Sequence, residues 1–123
     1  MPAMPETTQP ITGIGRRLTV SVTYFVRMVA EDGQADRVLE LLLSNPRRIE
    51  AGERGNVVFA VHRGIADPNE FWLYETWEDE QAVERHESGE AFLKYKEELR
   101  PLVRGDSVIW GNTRPVKVLG YQV

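Results

Sequence analysis

From Thr19 to Met28 apolar and polar residues alternate, with Val20, Val22, Tyr24, Val26 and Met28 set against Thr19, Ser21, Thr23 and Arg27. A period of two is that of a strand with one buried face, so this stretch is predicted as the first strand. The basic pair Arg16-Arg17 just ahead of it imitates the start of a signal peptide. Arg27 breaks the apolar run, however, and the strand reading with a cytoplasmic location is the expectation. The period then changes. Ala35, Val38, Leu39 and Leu42 recur at helical spacing behind Asp32, a side chain suited to an N-cap. Pro46 should kink or end that helix, because it has no amide hydrogen and its ring crowds the preceding turn. Arg47–Arg54 is then left as a charged shoulder before Gly55.

Two more strands are predicted at Val57–Arg63 and at the aromatic-rich Phe71–Trp77, joined by a turn through Gly64, Asp67, Pro68 and Asn69. Asp79 should cap a short helix, Glu80–Glu87, with Ala82, Val83 and His86 on one side. Ser88 should cap another, whose stripe is Phe92, Tyr95, Leu99, Leu102 and Val103 and whose last turn Pro101 disturbs. Val108–Trp110 and Val116–Val123 are β-like, with a Gly111-Asn112 turn signal between them. Residues 1–16, with three prolines and two glycines, show no period and read as a flexible lead-in to one domain over residues 17–123. The resulting order, β-α-β-β-α-β, is that of an α+β, ferredoxin-like domain: an antiparallel sheet with helices on one face. The other face is apolar too, since Tyr24 and Phe25, like Phe71 and Trp72, point to opposite sides. A second copy should cover it, giving a homodimer of the dimeric α/β-barrel type.

Composition narrows the chemistry. The 123 residues contain no cysteine, which removes disulfides, thiolate nucleophiles and Cys-ligated metals. A net charge of −4 argues against nucleic acid as a partner, and a composition of 41% hydrophobic and 28% charged residues argues against a membrane protein. No dinucleotide, phosphate-loop, zinc-protease or serine-hydrolase motif occurs, so no cofactor and no metal are expected. His86 is the candidate for chemistry. On the side of its helix that meets the sheet, an imidazole either packs as a half-buried ring or transfers a proton in a cleft. His62, between Val61 and Arg63, reads as a surface or interface residue. Glu75 is the anomaly of its strand, sharing an apolar face with Phe71, Leu73 and Trp77. A buried salt bridge to an arginine, such as one of the second subunit, is its expected explanation.

The run Phe71-Trp72-Leu73-Tyr74-Glu75-Thr76-Trp77-Glu78-Asp79, followed by Ala82, His86, Ser88 and Phe92, resembles the strand–helix signature of the antibiotic biosynthesis monooxygenase family. In that pattern a histidine follows the glutamate by eleven positions, as His86 follows Glu75. The ending Gly111-Asn112-Thr113-Arg114-Pro115-Val116 with Leu119-Gly120-Tyr121 is also similar to family members. The resemblance implies cofactor-independent oxygenation, by dioxygen, of an electron-rich aromatic substrate such as a hydroquinone, a naphthol or an anthrone-like polyketide. His86 would take the phenolic proton, Tyr24, Trp77, Phe92 and Tyr95 would wall the substrate, and Glu75 would orient a neighbour. Many members carry a second histidine where this chain has Ala91. The related haem-degrading branch uses an asparagine and a histidine near the positions of Val26 and Lys96, so that apparatus is not expected. The same cleft would also serve a cofactor-free isomerase or decarboxylase of a small carbonyl compound, or a non-catalytic dimer that holds a small molecule or haem.

Overall fold

The computed structural model describes residues 20–120. The expected lead-in, residues 1–16, lies outside them. Four strands form one antiparallel sheet in the order β2-β3-β1-β4: β1 is Val22–Val29, β2 Asn56–Arg63, β3 Glu70–Trp77 and β4 Ile109–Thr113. Three helices, α1 (Ala35–Glu50), α2 (Glu80–Ser88) and α3 (Glu90–Leu99), complete an α+β ferredoxin-like fold. No helix of the described residues is long and apolar enough to cross a membrane.

Cross-strand register divides the sheet cleanly. Val22, Tyr24, Val26 and Met28 of β1 stand beside Trp77, Glu75, Leu73 and Phe71 of β3, and all eight face the helices. The core forms there, where Val26, Met28, Phe71 and Leu73 meet Val38, Leu41 and Leu42 of α1 and Tyr95 of α3. A second cluster joins Val22 and Trp77 to Ala82 and Val83 of α2. The opposite face carries Phe25 against Tyr74, with ring centroids 5.3 Å apart, and Trp72 opposite His62 on β2. His62 is exposed there, as its sequence context suggested.

Several boundaries differ from the pattern-based expectation, each for a local reason. Proline does not end α1, which runs through Pro46 to Glu50. The carbonyl that Pro46 leaves without an amide donor is that of Leu42, and the Asn45 side chain donates to it from Nδ2 at 3.3 Å. Asp32 is not the N-cap of α1. Gly33 adopts φ +79°, carries the turn two residues further, and puts Gln34 at the cap position. Asp79 does cap α2, accepting from the Ala82 amide at 2.8 Å. Ser88 belongs to the end of α2 and donates back to the Arg85 carbonyl, so Gly89 is the junction with α3. Pro101 sits in a short 3-10 turn, Arg100–Leu102, that follows α3. Gly111-Asn112 makes no turn: both lie within β4, paired with Phe25 and Tyr24. Residues 116–120 form no strand, and residues 121–123 are outside the described region.

Candidate active site

Between the helices and the helix-facing side of the sheet lies a cavity of about 750 Å³, mostly apolar in its lining. Val26 and Met28 of β1, Phe59 of β2, Leu73 and Glu75 of β3 and Trp110 of β4 form its floor. His86 of α2 and Phe92, Tyr95, Lys96 and Leu99 of α3 form its roof. Alternation along β3 puts Glu75 in this floor, and the Asp79 cap starts α2 in the phase that turns Ala82, Val83 and His86 inward.

His86 is almost fully buried, its side chain only 3% exposed. Aromatic rings hold it: Trp77 at 4.5 Å, Phe92 at 4.8 Å and Phe59 at 6.4 Å between centroids. Its Nδ1 is hydrogen-bonded to the carboxylate of Glu53, in the turn after α1. That bond fixes the tautomer with hydrogen on Nδ1 and leaves the Nε2 lone pair open, since Nε2 has no hydrogen bond among the described residues. Burial lowers the pKa of the ring below its usual value, against the opposing pull of Glu53. At neutral pH it is an uncharged base.

Behind Glu53 stands a relay of fixed side chains. The Arg48 guanidinium lies 3.8 Å from Glu53 and also donates to Asn45 Oδ1. Asn45 is itself buried and reaches the cavity wall, which it lines together with Tyr95. Burial pushes the Tyr95 hydroxyl up to about 12, so it is a neutral donor and not an acid. Glu53, Arg48 and Asn45 were missed in the sequence because the stretch after Pro46 reads as a solvated shoulder. The only signal was an asparagine placed directly before an intrahelical proline.

Glu75 is buried, and no arginine among the described residues of its own chain makes the expected salt bridge. Among the described residues it has no ion pair, and it faces the cavity, not the sheet's other side. The Trp77 indole instead donates to its Oε1 at 3.0 Å. Desolvation raises the carboxyl pKa to about 7, a rise that the Trp77 bond opposes and that Glu87 and Glu53 increase. Between the ordinary value of 4.5 and about 7, the folded protein keeps a proton that the unfolded chain gives up. Stability from this group is therefore complete below the unfolded value and falls as pH rises through about 7, a span worth about 3 kcal/mol. Urea midpoints are expected to drop with rising pH across this window in the native protein, and less steeply in Glu75→Gln.

Of the residues expected to contact substrate, Glu75, Phe92 and Tyr95 line the cavity, together with His86. Tyr24 and Trp77 are not among the lining residues. Tyr24 is half-buried beside Glu75, with its ring 5.5 Å from that of Trp110. Trp77 is fully enclosed and packs on the imidazole from within the core. Val26 and Lys96 do line the cavity, so it lacks the asparagine and histidine of the haem-degrading branch at those positions. Ala91 lies exposed at the start of α3.

These features define a ferredoxin-like domain with a neutral imidazole and a buried carboxyl set in one apolar cavity. Residues 21–98 match the family model for antibiotic biosynthesis monooxygenase, and the chain belongs to that family. Its fold is shared with a candidate antibiotic biosynthesis monooxygenase from Chloroflexus aurantiacus (TM-score 0.70, 21% identity, 81% of this chain and 97% of that one covered). A protein from Pseudomonas aeruginosa is similar (TM-score 0.70, 23% identity, 83% and 100% covered). So is a further candidate monooxygenase of this kind from Nitrosomonas europaea (TM-score 0.73, 15% identity, 85% and 96% covered).

Proposed function

We propose that the protein is a monooxygenase that uses dioxygen, without a cofactor, to oxidise an electron-rich aromatic bound in the cavity. The observation that carries this reading is His86: a buried imidazole whose Nδ1 is held by Glu53 and whose Nε2 is open, in a largely apolar cavity. A hydroquinone, naphthol or anthrone loses a proton to such a base and becomes an electron-rich anion. That anion passes one electron to dioxygen, and the radical pair recombines to a carbon-bound peroxide. The protein needs to bind the ring, favour its anion and exclude water. Phe92 and Tyr95 supply walls for the ring, and Tyr95 offers a neutral hydroxyl.

The open face of the sheet supports a homodimer as the working unit. It leaves Phe25, Trp72 and Ile109 about half exposed around Arg27, whose charge is paired with Glu70, a largely apolar surface that a second copy would remove from water. Sedimentation should give twice the chain mass, and a monomer at micromolar concentration would refute this. The function is tested with an oxygen electrode, using purified protein, chelator, and a panel of anthrone, dihydroxynaphthalenes and simple hydroquinones. Uptake above the uncatalysed rate is expected for at least one of them. Turnover of a small carbonyl compound without uptake would assign the site to isomerase or decarboxylase chemistry instead.

A further inference from the structure

Oxygenation of a methylene by dioxygen has one step that calls for a base and a proton donor at the same moment. For anthrone, CH2 and O2 become a carbonyl and water. The methylene carbon is oxidised by four electrons, and dioxygen is reduced by four. His86 takes the first proton, and the anion and dioxygen form a carbon-bound peroxide that recovers that proton from the imidazolium. The hydroperoxide must then lose its remaining C–H proton to a base. The C–H electron pair becomes the second carbon–oxygen bond, the O–O bond breaks, and the distal oxygen leaves as hydroxide. In an apolar cavity a departing hydroxide needs a proton at that moment.

We propose that Glu75 is the proton donor for this step, delivering its proton to the distal peroxide oxygen as the O–O bond breaks while His86 acts as the base. The imidazolium then returns a proton to Glu75, and the site is restored. The inference rests on the oxygenase reading above and adds a second catalytic residue to it. Three observations favour it. Glu75 lies on the cavity floor and His86 in its roof. Only Oε1 of Glu75 is hydrogen-bonded, by Trp77, while Oε2 has no hydrogen bond among the described residues. The Trp77 indole touches both groups, donating to one and packing at a tilt against the other, so a single enclosed side chain links them. A carboxyl in a largely apolar cavity is also kept protonated close to neutrality by desolvation. The ionisable groups that bear on it or share its cavity are Tyr24 of β1, Glu53 after α1, His86 and Glu87 of α2, Tyr95 and Lys96 of α3 and Arg100 just beyond. Of the carboxylates, Glu53 and Glu87 hold its proton more firmly.

The test follows oxygen uptake, quinone formation and peroxide, as organic hydroperoxide or hydrogen peroxide, with anthrone as substrate. Glu75→Gln keeps an acceptor for the Trp77 indole but carries no transferable proton. Its peroxide-to-quinone ratio is expected to rise at least about tenfold over native protein. In native protein the same ratio should rise as pH passes about 7, which decides the matter if the variant does not fold. An unchanged ratio in Glu75→Gln, or, should that variant not fold, a pH-independent ratio in native protein, would overturn the role of Glu75 and leave the oxygenase reading standing. Absence of uptake by native protein with every member of the panel would overturn the oxygenase reading itself, and this inference with it.

Discussion

His86→Ala is expected to lower kcat for oxygenation of an active aromatic substrate by about 10²–10⁴-fold, the usual worth of a positioned general base. KM should change little, because the walls at Phe92, Tyr95 and Leu99 remain. The loss should be felt in the proton-transfer step, and a substrate supplied already ionised at high pH should recover part of the rate. Glu53→Gln is the informative companion. The amide still reaches Nδ1 but cannot stabilise an imidazolium, so an intermediate loss in kcat is expected. The acid limb of the pH profile should also move to lower pH, because Glu53 is what raises the pKa of the ring against burial. Stopped-flow oxygen consumption across pH measures both. An unaltered rate in His86→Ala would remove the imidazole from the mechanism.

Trp77→Ala should destabilise the fold by about 3–5 kcal/mol, the range for truncating a fully enclosed large aromatic. Trp77 joins Val22 to Ala82 and Val83, so the cavity left behind would lie between sheet and α2 and loosen the element that carries His86. Glu75 would lose its indole donor as well. Trp77→Phe separates the two effects. It keeps most of the packing, but without the hydrogen bond the carboxyl pKa should climb above about 7. Urea unfolding gives the first quantity, and the pH dependence of the unfolding midpoint gives the second. A loss under about 1 kcal/mol in Trp77→Ala would mean that the enclosed indole is not a structural support.

Much of this architecture is readable in the residue pattern. Period two along β1 and β3, helical period in α1 and α3, and the Asp79 cap are local signals, and the fold agrees with them. The same alternation located Glu75, and the helix phase located His86. The failures have a common origin in partners that are remote or unusual. Pro46 is tolerated because one side chain, Asn45, satisfies the orphaned carbonyl, which no propensity anticipates. Gly111-Asn112 favours a turn when isolated but is drawn into β4 by pairing with Phe25 and Tyr24, far away in sequence. Glu53 lies 33 residues from His86, so nothing local marks it as the partner of the imidazole. Tyr24 and Trp77 are on the correct side of the sheet, yet which of several inward side chains reaches the cavity depends on packing depth, and period alone does not encode depth.

Strand alternation also shapes how this chain can change over time. Along β3, Phe71, Leu73, Glu75 and Trp77 serve the helix side, while Trp72 and Tyr74 serve the opposite surface. The two sets interleave in sequence without sharing a member. Point substitutions can therefore remodel the cavity for a new ligand without touching the outer surface, and the reverse holds equally. Inserting or deleting one residue in β3 would exchange the two sets at a stroke. Lineages that carry this strand should thus diverge freely by replacement while keeping its length fixed.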